Sequence, residues 1–180
     1  NPVSFYAASK KANEVMAASY SHLYQLPATG LRFFTVYGPW GRPDMAPWLF
    51  TEAILRGEPI KVFNHGRLQR DFTYIDNVIQ MNELAMTTEN PEAVNTVYNT
   101  AYGDRNSLND LVGYLKIYLA AYDPKIADVA IEYGPNRAGD IPHSLASIDK
   151  AKTILGYNPK YSLQEGLKEA VGWYWGNLGR

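Results

Sequence analysis

The chain has 180 residues and a formal net charge of −1, so no excess of positive charge indicates a nucleic acid or an anionic membrane surface as a partner. It contains no cysteine, which excludes disulfides and cysteine-held metal clusters within it. No apolar run approaches the roughly 18 residues that would cross a bilayer, and the three histidines lack the spacing of a histidine metal site. We therefore expect a cytoplasmic protein with no metal site.

The predicted elements alternate between helices and strands, which is typical of an α/β fold. Ser4 can cap an alanine-rich helix from Phe5 to Tyr24. Capping-box patterns, Ser107 with Asp110 and Ser162 with Glu165, predict the starts of two later helices. Further helices are predicted at 46–56, at 76–88 with Asp76 as its cap, and after Asp149, and strands at 31–36, 60–63, 72–75, 97–100 and 129–133.

Tyr6 and Lys10 are four residues apart near the start of the first predicted helix, so both side chains lie on one helical face. A lysine ammonium close to a phenol favours the phenolate, which can act as a general base toward an alcohol or sugar hydroxyl. The alternative is a surface lysine beside a half-buried tyrosine, since both residue types are common.

A second pattern begins where the predicted strand 31–36 runs into a loop rich in glycine and proline. Ligands of open α/β sheets bind beyond the carboxyl ends of the strands. Thr35, Tyr37 and Arg42 are therefore predicted to lie near a ligand. Arg42 could instead bind Asp44 or backbone carbonyls, and phosphate is as good a partner for its guanidinium as a carboxylate.

Three motifs together carry a family resemblance: Tyr6-x-x-x-Lys10, the strand ending Val36-Tyr37-Gly38-Pro39, and the run from Arg70 to Asp76. They resemble the extended short-chain dehydrogenase/reductase family, in its nucleotide-sugar epimerase and dehydratase branch, most closely the UDP-glucuronate 4-epimerases. The resemblance implies the C-terminal part of a Rossmann-like NAD(P)-binding fold plus a smaller α/β sugar-nucleotide-binding lobe. Residues 1–37 and 75–100 would belong to the former and residues 38–74 and 101–180 to the latter.

The resemblance also implies NAD as the cofactor, a UDP-sugar as the substrate, and Tyr6 and Lys10 as the catalytic and cofactor-binding pair. Tyr6 would take the proton of the sugar 4-hydroxyl, and Lys10 would hydrogen-bond the nicotinamide ribose. Thr35 and Arg42 would hold a C6 carboxylate, which fits a uronic acid.

The remaining substrate contacts are implied by the same resemblance. Arg70 and Arg137 would grip the diphosphate, Asp140 would meet the ribose, and backbone near Lys61 and Phe63 would hold uracil. For several of these residues other roles remain open: Arg70 could pair with Asp71 or Asp76, Asp140 could form a turn, and Phe63 could belong to the core. Glu14 and Lys11 are expected on a solvated helix face.

No glycine-rich phosphate loop lies between a predicted strand and a helix, and no strand precedes Tyr6. We therefore expect the C-terminal portion of a longer enzyme, with the dinucleotide-binding half absent and no activity by itself. A homodimer through the first helix is implied by the resemblance. UDP-glucose 4-epimerase, a 4,6-dehydratase and a non-catalytic binding module remain alternatives.

Overall fold

The chain folds into six described helices and eight short strands in a computed structural model, which describes residue 2, residues 4–136 and residues 143–179. The helices are α1 Phe5–Tyr24, α2 Ala46–Arg56, α3 Ile75–Thr87, α4 Leu108–Leu119, α5 Asp149–Leu155 and α6 Leu163–Leu178. The strands are β1 Thr29–Phe33, β2 Thr35–Tyr37, β3 Ile60–Val62, β4 Gln69–Arg70, β5 Phe72–Tyr74, β6 Thr96–Thr100, β7 Asn106–Ser107 and β8 Ile131–Tyr133. The alternation of helices and strands confirms the predicted α/β class.

The strands form four pairs, of which three are parallel: β1 with β6, β2 with β5, and β3 with β8. The fourth pair, β4 with β7, is antiparallel. The strand predicted over 31–36 is divided at Phe34. The amide of Phe34 still donates to Thr100, at 3.2 Å, whereas the amide of Thr35 donates to the carbonyl of Asp71, at 3.1 Å. The chain therefore leaves one strand pair and enters another within two residues.

The buried apolar side chains of the described residues form two clusters. The larger cluster packs α2, α4 and α6 around β3 and β5, with Ile54, Leu115 and Leu167 almost fully buried. The smaller cluster joins α3, β6 and α5, with Met81 and Tyr98 at its centre. Burial of this apolar surface is the main favourable contribution to folding.

Local capping signals are largely confirmed. The Ser4 hydroxyl accepts a hydrogen bond from the amide of Ala7 at 3.1 Å, and both predicted capping boxes form. The prediction for Asp76 is wrong, because α3 begins at Ile75 and Tyr74 occupies the N-cap position. Asp76 instead lies in the first turn, where a carboxylate interacts favourably with the helix dipole.

Helix α1 differs from the others because none of its described residues is buried. Several large apolar side chains project from it, including Val15, Tyr20 and Leu23, each more than 60% exposed. Across the described ranges, no helix combines the length and apolar character needed to cross a membrane.

Candidate active site

Tyr6 and Lys10 lie on one face of the first turns of α1, as their spacing predicts. The Lys10 ammonium nitrogen is 5.4 Å from the centre of the Tyr6 ring. The ring is 70% exposed, and the Ser4 cap fixes the start of the helix that carries it. The pair is thus ordered by helix geometry and open to a ligand.

Glu14 connects this helix to the strand that follows it. Its two carboxylate oxygens accept hydrogen bonds from Nε and Nη2 of Arg32 on β1, at 2.5 and 2.7 Å. Lys11 donates a third, at 2.8 Å. These hydrogen bonds, that of Arg32 most of all, lower the pKa of Glu14 to about 2.

The prediction of a solvated face for Glu14 and Lys11 is correct for Lys11, whose side chain is 55% exposed, and wrong for Glu14, whose side chain is 18% exposed. Sequence reasoning missed the role of Glu14. The available signal was its position four residues after Lys10 on the same helical face, with an arginine on the next strand.

The loop between β2 and α2 brings Arg42 toward Tyr6. Arg42 forms a two-point contact with Asp44, with distances of 3.0 Å from Nε and 2.5 Å from Nη2. This contact raises the pKa of the guanidinium, and the phenol of Tyr6 lies near enough to add to that effect. Of the partners considered for Arg42, the structure shows Asp44, and 73% of the arginine side chain is exposed.

Tyr37 does not lie where a ligand would reach it, contrary to the prediction. The side chain is only 3% exposed, and its hydroxyl donates to the carbonyl of Leu163 at 3.1 Å. Burial raises the pKa of this phenol. Tyr37 therefore packs the strand against α6 and supports the loop structurally.

The pairing of β2 with β5 places Thr35 beside the segment that follows Arg70. Thr35 lies opposite Phe72, two residues after Arg70, and is half-buried. Arg70 pairs with Asn106 across β4 and β7, and its Nη1 donates to the carbonyl of Gln69 at 2.8 Å. The carboxylate of Asp71, an alternative partner for Arg70, faces the amides of Tyr102 and Gly103 at 3.0 Å each.

Lys61 is the middle residue of β3, and Phe63 follows the carboxyl end of that strand. Lys61 is exposed and pairs with Glu132 through the backbone. Phe63 is 37% exposed, so it is not a core residue. Its ring lies against Gly134, where an added Cβ would come within 2.8 Å of Cδ1.

Arg137 and Asp140 lie outside the described residues. The described positions on either side of them contact two strand ends. The carbonyl of Pro135 accepts from the amide of Asn64 at 3.2 Å, and the amide of Ser144 donates to Gln69 at 3.1 Å. His143 also contacts Gln69, through Nδ1 at 3.1 Å.

Comparison with known proteins assigns a family to this arrangement. The family model described as "NAD dependent epimerase/dehydratase family" matches residues 1–101. A curated relative, "UDP-glucuronate 4-epimerase 4" of Arabidopsis thaliana, is 43% identical over 186 residues, which cover 96% of this chain and 41% of the relative.

Solved structures show the same fold. UDP-glucose 4-epimerase of Thermotoga maritima with UDP-glucose superposes with a TM-score of 0.87 at 35% identity, covering 99% of this chain and 55% of that one. UDP-glucuronic acid 4-epimerase of Bacillus cereus, in complex with UDP-glucuronic acid and NAD, gives 0.85 at 30% identity, covering 97% and 53%. The chain spans about half the length of the curated relatives it matches. It belongs to the NAD-dependent epimerase/dehydratase family.

Proposed function

We propose that this chain is the C-terminal part of an NAD-dependent 4-epimerase of UDP-sugars that converts UDP-glucuronate to UDP-galacturonate. The observation that carries the proposal is the placement of Tyr6 and Lys10 on one open face of α1. The relative named for UDP-glucuronate and the neighbouring structure that contains UDP-glucuronic acid and NAD support the choice of substrate and cofactor.

Tyr6 acts as the general base in this proposal. Its phenolate takes the proton of the sugar 4-hydroxyl and returns it after the sugar has turned over about its diphosphate. Lys10 fits the cofactor because its exposed ammonium group has three donors, which suit the hydroxyls of a nicotinamide ribose. NAD supplies the hydride acceptor for C4 and regains its starting form at the end of the cycle.

Thr35 and Arg42 select the uronate in this proposal. The two-point contact of Arg42 with Asp44 is the geometry that a guanidinium adopts with any carboxylate. A C6 carboxylate would compete with Asp44 for the same donors. Holding that carboxylate rigid also matters for product identity, because a 4-keto uronate loses CO₂ when its C5–carboxylate bond aligns with the carbonyl π orbitals.

The uridine diphosphate is assigned to the other strand ends. Arg70 and Arg137 bind the diphosphate, Asp140 the ribose, and the backbone near Lys61 and Phe63 the uracil. The partly exposed ring of Phe63 at the end of β3 supports a base-binding position. An Arg137→Ala change should weaken UDP binding in a calorimetric titration, and an unchanged affinity would assign Arg137 a structural role.

Product analysis tests the reaction itself. Full-length protein that carries this chain is incubated with UDP-glucuronate, and the sugar products are identified by NMR. UDP-galacturonate supports the proposal. A second incubation contains UDP-glucose. Formation of UDP-galactose there, with no reaction of UDP-glucuronate, would favour the UDP-glucose 4-epimerase alternative, which the Thermotoga maritima neighbour supports. A 4-keto-6-deoxy product would favour a dehydratase.

The 180 residues alone are expected to be inactive, because no glycine-rich phosphate loop for NAD lies between a strand and a helix within them. Clear turnover of UDP-glucuronate by this chain alone would contradict that expectation. UDP binding without turnover in the full-length protein would instead identify a non-catalytic binding module.

We further propose that the protein is cytoplasmic and forms a homodimer through α1. The exposed apolar side chains of that helix support a helix-to-helix interface. Light scattering on the full-length protein gives the oligomeric state, and a Leu23→Glu change should produce monomers.

The division of the chain into a Rossmann-like part (residues 1–37 and 75–100) and a sugar-nucleotide lobe (residues 38–74 and 101–180) also remains a proposal. The two hydrophobic clusters support two units. Helix α5 packs in the smaller cluster, so part of the second segment contacts the first unit.

A further inference from the structure

Asp71 is a buried carboxylate that none of the proposed steps uses. It lies between β4 and β5 and is completely shielded from solvent. An ionised carboxylate in such a position is costly unless hydrogen bonds satisfy its oxygens. Its contacts therefore indicate what the carboxylate holds in place.

The Asp71 side chain binds the loop that follows β6. Oδ1 accepts from the amide of Tyr102 and Oδ2 from the amide of Gly103, each at 3.0 Å. The hydroxyl of Thr73 adds a longer contact at 3.4 Å. Burial raises the pKa of this carboxyl, and these donors act in the opposite direction.

The Asp71 backbone lies between two proposed substrate ligands. Its carbonyl accepts from the amide of Thr35 at 3.1 Å, and the preceding residue is Arg70. One residue thus joins the first residue of β2, the junction of β4 and β5, and the loop after β6. That loop leaves the carboxyl end of β6, the kind of edge at which ligands of α/β folds bind.

We propose that Asp71 is a positioning residue for the UDP-sugar site, whose buried carboxylate fixes the loop at Tyr102 and Gly103 beside the strands that carry Thr35 and Arg70. The inference rests on the proposed function, since it concerns the same site. Asp71 acts through the backbone it holds and does not touch the substrate.

An Asp71→Asn change tests this role in the full-length protein. Asparagine has nearly the same shape, but its amide group directs a donor at a backbone N–H and leaves one amide without an acceptor. We expect the affinity for uridine diphosphate, measured by calorimetry, to fall about tenfold, while the content of bound NAD stays unchanged. Thr73→Val, which removes only the 3.4 Å contact, should lower the affinity by less than about threefold.

A control variant that destabilises the protein far from Asp71 separates loss of the site's geometry from general loss of stability. Leu119→Ala removes a fully buried side chain at the far end of α4 from β7, and should lower the melting temperature while leaving uridine diphosphate affinity within about twofold. Equal loss of affinity in Leu119→Ala and Asp71→Asn, or no loss in Asp71→Asn, would overturn the role of Asp71. Wild-type protein that fails to bind uridine diphosphate would instead count against the proposed function.

Amide hydrogen exchange on the wild-type protein supplies a second measurement that does not depend on a variant folding. Uridine diphosphate should slow exchange at Tyr102 and Gly103 together, because both amides are bound to the carboxylate that frames the site. Exchange at both amides that is indifferent to uridine diphosphate would contradict the proposal.

Discussion

Helix α1 and helix α4 represent two ways of holding an element in place. Helix α4 has five buried residues, and Leu111, Leu115 and Leu119 are completely shielded from solvent. Helix α1 is longer, yet none of its described residues is buried. Its contacts with the strands after it include polar ones, such as Glu14 with Arg32 and the Ser21 hydroxyl with Asn95 at 2.7 Å.

The larger hydrophobic cluster, to which α4 belongs, is stabilised by apolar burial, whereas the position of the proposed catalytic pair depends on a few directional contacts. The free energy gained by burying apolar surface is proportional to the buried area, so it changes little when the packed elements shift slightly. A bidentate ion pair specifies an orientation. The second kind of contact therefore gives a defined orientation to the helix that carries Tyr6, the proposed base.

The largest expected effect is a loss of turnover without a loss of stability, on changing a residue of α1. A Tyr6→Phe change in the full-length protein should lower turnover about 10³-fold, equivalent to about 4 kcal/mol, because the proposed general base is lost. The melting temperature should hardly change, since the ring is 70% exposed. Tyr20→Phe on the same helix, where the ring is 62% exposed, is the control, and an equal loss of turnover there would remove the distinction.

The next effect concerns stability in α4. Leu115→Ala should lower the free energy of unfolding by about 3 kcal/mol, because it leaves a cavity at a fully buried site. Val15→Ala on α1, at a site 61% exposed, should change it by no more than about 0.5 kcal/mol. Urea unfolding measures both, and similar losses would show that α1 is held by burial after all.

A close approach between helix and strand gives a smaller effect. A Cβ at Gly166 in α6 would lie 2.2 Å from the Tyr37 hydroxyl and 2.8 Å from Tyr74 Cβ. Gly166→Ala should therefore cost about 2 kcal/mol in unfolding free energy through overpacking. The matched change Gly176→Ala meets no atom within 4 Å among the described residues and should stabilise the protein by up to about 1 kcal/mol. The prediction fails if thermal unfolding ranks the two variants in the reverse order.

The smallest effect tests the polar attachment of α1. Glu14→Gln should lower the free energy of unfolding by about 1 kcal/mol at pH 7, because the bidentate ion pair with Arg32 is lost. The pKa of Glu14 is lowered from 4.5 to about 2, so its stabilisation is present above about pH 4.5 and disappears as the pH falls toward 2.

The difference in stability between wild type and Glu14→Gln should therefore shrink over that interval. Denaturant titrations at pH 7, 4 and 2.5 measure it, with Lys11→Gln as the control for the more exposed contact. A constant difference across this range would show that ionisation of Glu14 contributes nothing.

Much of the local structure could be predicted from the sequence. The caps at Ser4, Ser107 and Ser162 each involve a partner three residues away, and such contacts depend only on helix geometry. The shared face of Tyr6 and Lys10 follows from the same geometry. The α/β class follows from the alternation of predicted helices and strands, and the family resemblance follows from short motifs whose residues are close together in the chain.

The long-range contacts were decided by the tertiary structure. Three of these contacts connect residues far apart in the chain. At the break after Phe34, the amide of Thr35 bonds to Asp71; Tyr37 packs against Leu163; and Asp71 binds the loop after β6. Strand pairing and the resulting loop positions also decide two other contacts. They determine whether Arg42 binds Asp44 or a ligand, and whether Glu14 faces water or Arg32. The sequence by itself determined the helices and the chemical groups available, because those depend on neighbours within a few residues. Only the fold decided which groups meet, because burial and strand pairing act between segments that the sequence separates.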